Sequence, residues 1–229
     1  MIRHFCSFVL GLFFPHRCIF CGHFLSSGEW ICSECEKDPQ IHPKTIRKWL
    51  NRRSTGNPIL CMVPYRYDGK VRESIHALKF YRRKEIAVFY GNQIADLLKQ
   101  ILSGDFAEVV ACVPMSRKKE RRRGYNQAEL LAESVSRKLN LPYERLLKKV
   151  RENQNQHDLN REERKRNVEG VYAACCQERI KGRKILLIDD VVTTGSTLEE
   201  CAQVLFEAGA KDVICAAAAC TLHKDRKTG

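Results

Sequence analysis

No apolar run in this 229-residue chain approaches the length needed to cross a bilayer, about 20 residues, so no integral membrane segment is expected. The best candidate, Phe5 to Phe14, is too short to span and lacks a small-residue cleavage site. It reads as a short helix packing against the domain behind it, not as a signal peptide. Internal repeats and low-complexity tracts are also missing, which excludes solenoids and fibrous or disordered chains. Acidic residues are scarce beside basic ones, 27 against 40, and the net charge is +13. Between Arg117 and Arg166 there are 16 basic and 8 acidic residues, so +8 of the +13 lies in that segment. Such a concentration implies a polyanionic partner, whether pyrophosphate, nucleic acid or both; a merely soluble basic surface is the alternative.

Cysteine, by contrast, is plentiful at 12 residues. With no export signal evident, a reducing, cytoplasmic setting is expected in place of a secreted disulfide scaffold. Cys112, Cys201, Cys215 and Cys220 fall in expected core elements, where a thiol packs as a small hydrophobe. Four others form a group of their own, Cys18-x-x-Cys21 and Cys32-x-x-Cys35. Two such turns bring four thiolates together as tetrahedral zinc requires, and a closed site of four cysteines is structural, not catalytic. The ten residues between the pairs make this a compact knuckle, with Gly22 helping the chain to turn. Redox pairing and four unliganded core thiols are the competing readings. Cys6 lies outside the spacing and is expected to be packed.

A hydrophobic content of 44% suits a globular protein, and the length suits one medium domain plus a small module. The N-terminal helix, zinc knuckle and linker are placed in residues 1–57 and the larger domain in residues 58–229. Glu36 to Pro58 is polar and broken by Pro39, Pro43, Gly56 and Pro58, a connector with at most a short helix near Lys44 to Asn51. Beyond it the pattern predicts a strand through Val63 to Tyr67 and helices over Val71 to Phe80 and Glu85 to Leu102. A buried strand over Glu108 to Val113 follows, then a helix with Ala128, Leu131, Ala132, Val135 and Leu139 at helical spacing. Strands alternating with helices predict an α/β fold, a parallel sheet flanked by helices. Lys224 to Gly229 reads as a solvated tail.

The chemistry concentrates in Lys184-Ile185-Leu186-Leu187-Ile188-Asp189-Asp190-Val191-Val192-Thr193-Thr194-Gly195-Ser196-Thr197-Leu198. The apolar run suits a strand buried on both faces, and Leu198, Cys201, Ala202, Leu205 and Ala208 stripe the helix that Gly209 stops. Between them, Thr193 to Thr197 offer backbone N–H groups, four hydroxyls and a helix N-terminus, a cradle for phosphate. Asp189 and Asp190 are expected just past the carboxyl end of the strand, where open α/β sheets hold their ligands. A surface turn that binds nothing is the bland reading. This pattern resembles the PRPP-binding signature of type I phosphoribosyltransferases. The resemblance implies that Thr193, Thr194, Gly195, Ser196 and Thr197 hold the ribose 5′-phosphate, while Asp189 and Asp190 face the ribose 2′ and 3′ hydroxyls as the catalytic pair. Magnesium would bridge those hydroxyls and the pyrophosphate.

A second loop, Val113 to Gln127, also leaves a strand and enters a helix, and it carries Arg117, Arg121 and Arg123. In phosphoribosyltransferases the equivalent loop grips pyrophosphate, and forked guanidinium donors suit that task. Gly124 would let the backbone approach the ligand, and Tyr125 could cover a base or ribose. Arg151 to Gly170 is polar and long enough to form a lid, an ordinary exposed helix being the alternative.

Taken together, the knuckle, Leu78-Lys79-Phe80, Arg122-Arg123-Gly124-Tyr125-Asn126-Gln127, the stretch with Gln156, Leu159, Arg164, Asn167, Val168 and Gly170, and the TTGST loop resemble the ComF family. The match spans nearly the whole chain in the same order. It implies a type I phosphoribosyltransferase-like protein with an N-terminal zinc finger, serving DNA uptake in natural transformation. PRPP with Mg2+ and single-stranded DNA are the implied ligands. A DNA-uptake helicase is the implied partner, holding a cytoplasmic protein near the inner face of the membrane. The alternative is an active enzyme transferring ribose 5-phosphate from PRPP to a nitrogen acceptor in nucleotide metabolism. Several purine-type phosphoribosyltransferases carry an acid where this chain has Thr193, and no motif names an acceptor base.

Overall fold

The computed structural model describes residues 16–26, 28–51, 58–151 and 170–222. The expected helix at Phe5 to Phe14, Cys6, residues 152–169 and the tail from Lys224 lie outside the described residues. In chain order the helices are α1 (Ser33–Glu36), α2 (Gly69–Phe80), α3 (Glu85–Ile101), α4 (Arg117–Arg123), α5 (Gln127–Leu139) and α6 (Ser196–Glu207). The strands are β1 (Ile46–Leu50), β2 (Ile59–Val63), β3 (Tyr65–Arg66), β4 (Val109–Cys112), β5 (Leu147–Lys149), β6 (Tyr172–Ala174), β7 (Lys184–Val192) and β8 (Asp212–Cys220).

The main sheet runs β1-β2-β8-β7-β4, with β3 also pairing β8. All its pairings are parallel except β1 with β2. The central strands are apolar throughout because both faces are covered. Val110, Leu186, Ile188 and Ala216 face a core shared with α2, α3 and α5. Val109, Ala111, Ile185, Leu187 and Cys215 face the opposite core with Leu198, Cys201, Ala202 and Leu205 of α6. The α3–α5 approach is close: a side chain at Gly91 would run into Ser134, so only hydrogen fits there. A small antiparallel hairpin of β5 and β6 lies apart from the main sheet.

Several elements depart from expectation, among them the strand expected through Val63 to Tyr67, which is two strands, β2 ending at Val63 and the short β3. Lys44 to Asn51 holds no helix. Ile46 to Leu50 is an edge strand in which Ile46, Lys48 and Leu50 face inward and Arg47 and Trp49 face solvent, the two-residue period of a half-buried strand. The β7 strand does not stop at Ile188, since Asp189 still pairs Ala217, and Val192 pairs Cys220. The acid pair therefore sits on the last residues of the strand and not beyond it. Finally, the basic loop contains a helix, α4. The Ser116 hydroxyl accepts the Lys119 N–H at its start, and Gly124 closes it, although no residue of the helix is buried. Caps, and not an apolar stripe, define it.

The N-terminal segment packs on this body through aromatic rings. Phe20, between Cys18 and Cys21, meets Phe89 at 5.8 Å and Tyr90 at 6.5 Å edge to face, and Trp30 lies 6.1 Å from Phe89. Edge-to-face pairs of this kind add to the apolar burial.

Candidate functional site

Because β4 and β7 are paired neighbours, their outgoing chains leave the same end of the sheet side by side. Between them lies a cavity of about 470 Å³. Asp189, Asp190, Thr193 and Thr197 line it from the β7 side. Lys119, Arg123 and Asn126 face them from the β4 side, with Lys79 from α2 and Lys149 and Tyr172 from the hairpin. A smaller hollow of about 20 Å³ is wrapped by Val191 to Leu198 and Asp189.

The turn around that hollow is fixed from several sides. Gly195 has φ +92°, and a Cβ there would stand 2.5 Å from Leu50 Cδ2, so both backbone and space demand glycine. The Thr194 and Ser196 hydroxyls are 2.9 Å apart. The Thr193 carbonyl, which would otherwise compete with an anion, turns away and accepts from Lys48 Nζ at 2.8 Å and Thr221 Oγ1 at 3.3 Å. The Asn51 N–H donates to Glu199 Oε1 at 2.9 Å. The edge strand β1 thus braces the turn at three points: Lys48, Leu50 and Asn51.

The acid pair is asymmetric. Asp190 forms a 2.8 Å ion pair with Lys79, both side chains largely covered. The Asp190 N–H donates to Asp189 Oδ1 at 2.8 Å. Burial and then the neighbouring Asp190 charge push the Asp189 carboxyl up to about 8, against smaller opposing effects of that N–H and Lys79. Burial opposes the charge on Lys79, but the ion pair and hydrogen bond with Asp190, joined by Tyr67 and Asp189, raise the ammonium above its ordinary value. Arg123 donates to Gln127 Oε1 at 2.8 Å, while its Nε is buried with no acceptor among the described residues. A charged donor left without a partner in a cleft fits an anion.

The Asp189 shift has a stability consequence. Its folded value of about 8 lies above the ordinary 3.8, so the folded state holds a proton that the unfolded chain releases as pH rises above about 4. That stabilisation is complete below pH 4 and is lost progressively up to about pH 8. Asp189→Asn, which keeps the Asp190–Lys79 pair, is expected to flatten the slope and to raise the melting temperature most at pH 8. Thermal melts at pH 5, 6.5 and 8 check this; a difference from the parent that stays constant with pH would overturn it.

Of the residues singled out from sequence, Asp189, Asp190, Thr193, Thr197 and Arg123 converge on the larger cavity, and Thr194, Gly195 and Ser196 on the smaller one. Arg117 and Arg121 line neither. Tyr125 covers no cavity: it is buried, and its hydroxyl donates to the Leu78 carbonyl. Gly124, in the left-handed region, serves as the cap of α4. Lys79, Lys119, Lys149 and Tyr172 were not anticipated as lining residues.

At the other end of the molecule, the Cys18, Cys21, Cys32 and Cys35 sulfurs all lie within 4.8 Å of one another, with Cys21 and Cys32 3.6 Å apart. Sulfurs bound to one tetrahedral zinc at about 2.3 Å stand roughly 3.8 Å apart, so the four thiols fit that ion. Burial pushes the Cys18 thiol up, but N–H donors of Cys21, Cys32 and Phe20 bring it to about 7, towards the thiolate a metal needs.

Residues 125–228 match the family described as phosphoribosyl transferase domain. The DNA utilization protein YhgH of Escherichia coli K12 is 30% identical over 220 residues, covering 87% of this chain and 94% of that protein. Competence protein ComFC of Bacillus subtilis 168 is 29% identical over 198 residues, 85% of this chain and 73% of that one. The chain belongs to the ComF family. Competence protein F of Haemophilus influenzae Rd is 34% identical over 108 residues, 46% of this chain and 47% of that protein. As a ComF protein it has the type I phosphoribosyltransferase-like fold with a four-cysteine cluster near its N-terminus. Among the described residues, no helix is long and apolar enough to cross a membrane.

Proposed function

We propose that this is a competence-associated phosphoribosyltransferase-like protein that binds PRPP with magnesium in the β4–β7 cleft and engages single-stranded DNA during uptake. The observation that carries it is the joining of a hydroxyl-lined turn, a carboxylate pair and converging cations in one cavity. The Thr193–Thr197 turn takes the 5′-phosphate through its N–H groups and hydroxyls. Asp189 and Asp190 accept hydrogen bonds from the ribose 2′ and 3′ hydroxyls. Lys79, Arg123, Lys119 and Lys149 surround the pyrophosphate, with Arg123 Nε a donor already in place. A magnesium ion arriving with PRPP would neutralise pyrophosphate charge and favour its departure. The basic segment around Arg117, Arg121 and Arg122, which lies outside the cavity, is assigned to the DNA backbone. The four cysteines hold structural zinc, and the module they build is attached to a domain that begins before residue 58, with the edge strand β1.

Calorimetric titration tests the reading. PRPP with magnesium should bind more tightly than ribose 5-phosphate, which lacks the pyrophosphate, and no PRPP binding at all would overturn it. The brace gives a sharper result. Lys48→Met leaves the Thr193 carbonyl only the longer Thr221 bond and is expected to weaken ribose 5-phosphate about tenfold, near the low end for a lost hydrogen bond to a charged group. Lys48→Arg should restore most of the loss. Equal affinities in all three proteins would remove the brace from phosphate binding.

A further inference from the structure

The two rings at the end of α2 are unlike the rest of the surface. Phe80 is 51% exposed and Tyr81 70% exposed. Single exposed rings are ordinary, but these are adjacent and organised. The His76 ring lies 4.4 Å from Phe80 and 5.8 Å from Tyr81, so three rings form one surface. The Arg123 guanidinium lies 5.0 Å from the Phe80 centroid. Arg123 also lines the cleft, as does Lys79, the residue before Phe80. Two side chains therefore join this ring surface to the cavity.

We infer that Phe80, Tyr81 and His76 form a stacking platform for the bases of a single-stranded nucleic acid at the mouth of the cleft. Charge decides between a nucleic acid and an apolar protein surface as occupant. Tyr81 is followed directly by Arg82, Arg83 and Lys84, and the Arg123 guanidinium stands over Phe80 from the other side. Two acids flank the rings in sequence, Glu73 three residues before His76 and Glu85 four after Tyr81, and Glu85 is held by Arg83 at 2.8 Å. Rings set among cations suit a strand that offers flat bases and a phosphate backbone at once. The surface also continues away from the cleft. Arg82 takes φ 56°, rare for a residue with a side chain, and the next residue, Arg83, donates to the carbonyls of Cys18 and Arg17. Arg17 itself stacks 4.1 Å over Phe24, which is 57% exposed. A second ring and guanidinium pair on the cysteine knuckle thus lies on the same path. A strand following it would run from the knuckle over Tyr81 and Phe80 and present its end to the cavity.

This inference rests on the DNA-binding part of the proposed function, and the test separates the two. Fluorescence anisotropy would compare a labelled oligo-dT 20-mer with an abasic strand of equal length, each across a salt series. Phe80→Leu with Tyr81→Ser should weaken the oligo-dT strand tenfold or more, in the range of one lost base stack, with the abasic strand and the salt slope unchanged. Phe80→Trp should bind oligo-dT at least as well as the parent. Arg121→Gln with Arg122→Gln should weaken both strands and flatten the salt slope. Thermal melts confirm that each variant is folded, as expected for exposed positions. If the parent binds neither strand, the DNA reading itself fails. If the parent binds and the double ring variant binds oligo-dT as tightly as the parent does, the platform is overturned while the DNA reading stands. A parent dimer in sedimentation that the ring variant abolishes would assign the rings to self-association and overturn the platform too.

Discussion

Cys18→Ser is expected to leave the protein without bound zinc and to lower its melting temperature by roughly 8–16 °C, the equivalent of about 4 kcal/mol in a chain of this size. That is well below the ~10–16 kcal/mol apparent binding energy of zinc in isolated finger peptides, because part of the knuckle is held by packing as well as by metal. The sulfurs sit within 4.8 Å of one another, close enough for one ion to take all four as ligands, so losing one ligand opens the closed site. Once the cluster opens, Ile19 and Phe20, both buried, lose the turn that presents them to Phe89, Tyr90 and Tyr65. Cys61→Ser is the comparison. Cys61 is fully buried in the sheet but remote from the cluster in sequence, so this variant should melt lower than the parent yet keep its zinc. Metal analysis by mass spectrometry and thermal melts with and without chelator provide the readout. An intact parent protein with no zinc, or a Cys18→Ser protein that melts with the parent, would refute the structural ion.

What the sequence disclosed followed the strength of each local signal. The β4, β7 and β8 strands are continuous apolar runs, and α5 and α6 carry unbroken stripes, so each was legible within a few residues. The β1 strand was not, because Arg47, Lys48 and Trp49 hide a two-residue alternation among polar neighbours. The α4 helix has no buried residue, and only its caps at Ser116 and Gly124 announce it. The β7 strand outlasts its apolar run because the alanines of β8, opposite Asp189 and Val191, offer small partners that let the ladder continue under two carboxylates.

The site was legible only where it is contiguous. Asp189 to Thr197 is one segment, so its chemistry could be read directly. Lys79 lies more than a hundred residues away on α2, and the ion pair with Asp190 is made by the fold alone. Lys48 was invisible for the same reason, since the edge strand reaches Thr193 only after β2 and β8 have aligned it. Tyr125 misled because an aromatic in a basic loop suggests a ligand cover, whereas burial and the Leu78 carbonyl claim it.

The carboxylate pair should separate recognition of ribose from recognition of pyrophosphate. At pH 9, above the raised Asp189 value of about 8, replacing Asp189 and Asp190 together with Asn removes two charged acceptors from the hydroxyl site. Each hydrogen bond to a charged group contributes about 1.5–3 kcal/mol. PRPP affinity is therefore expected to fall at least about hundredfold. The same change has the opposite sign for an anion without ribose. Lys79, now freed from its 2.8 Å partner, and Arg123 would face the cavity with two fewer negative charges beside them. At a few ångströms each such charge is worth on the order of 1–3 kcal/mol in a partly solvated site. Inorganic pyrophosphate should accordingly bind the double variant at least as tightly as it binds the parent protein. Titrating both ligands at matched magnesium and salt decides the matter. If PRPP and pyrophosphate weaken in parallel, the acids shape the whole cavity and do not read the ribose; if neither moves, the ligand lies elsewhere. Measured in a competent host, transformation that survives the loss of PRPP binding would detach DNA handling from the cleft. Transformation lost with PRPP affinity, while single-strand binding persists, would make the ribose site the step at which uptake depends on this protein.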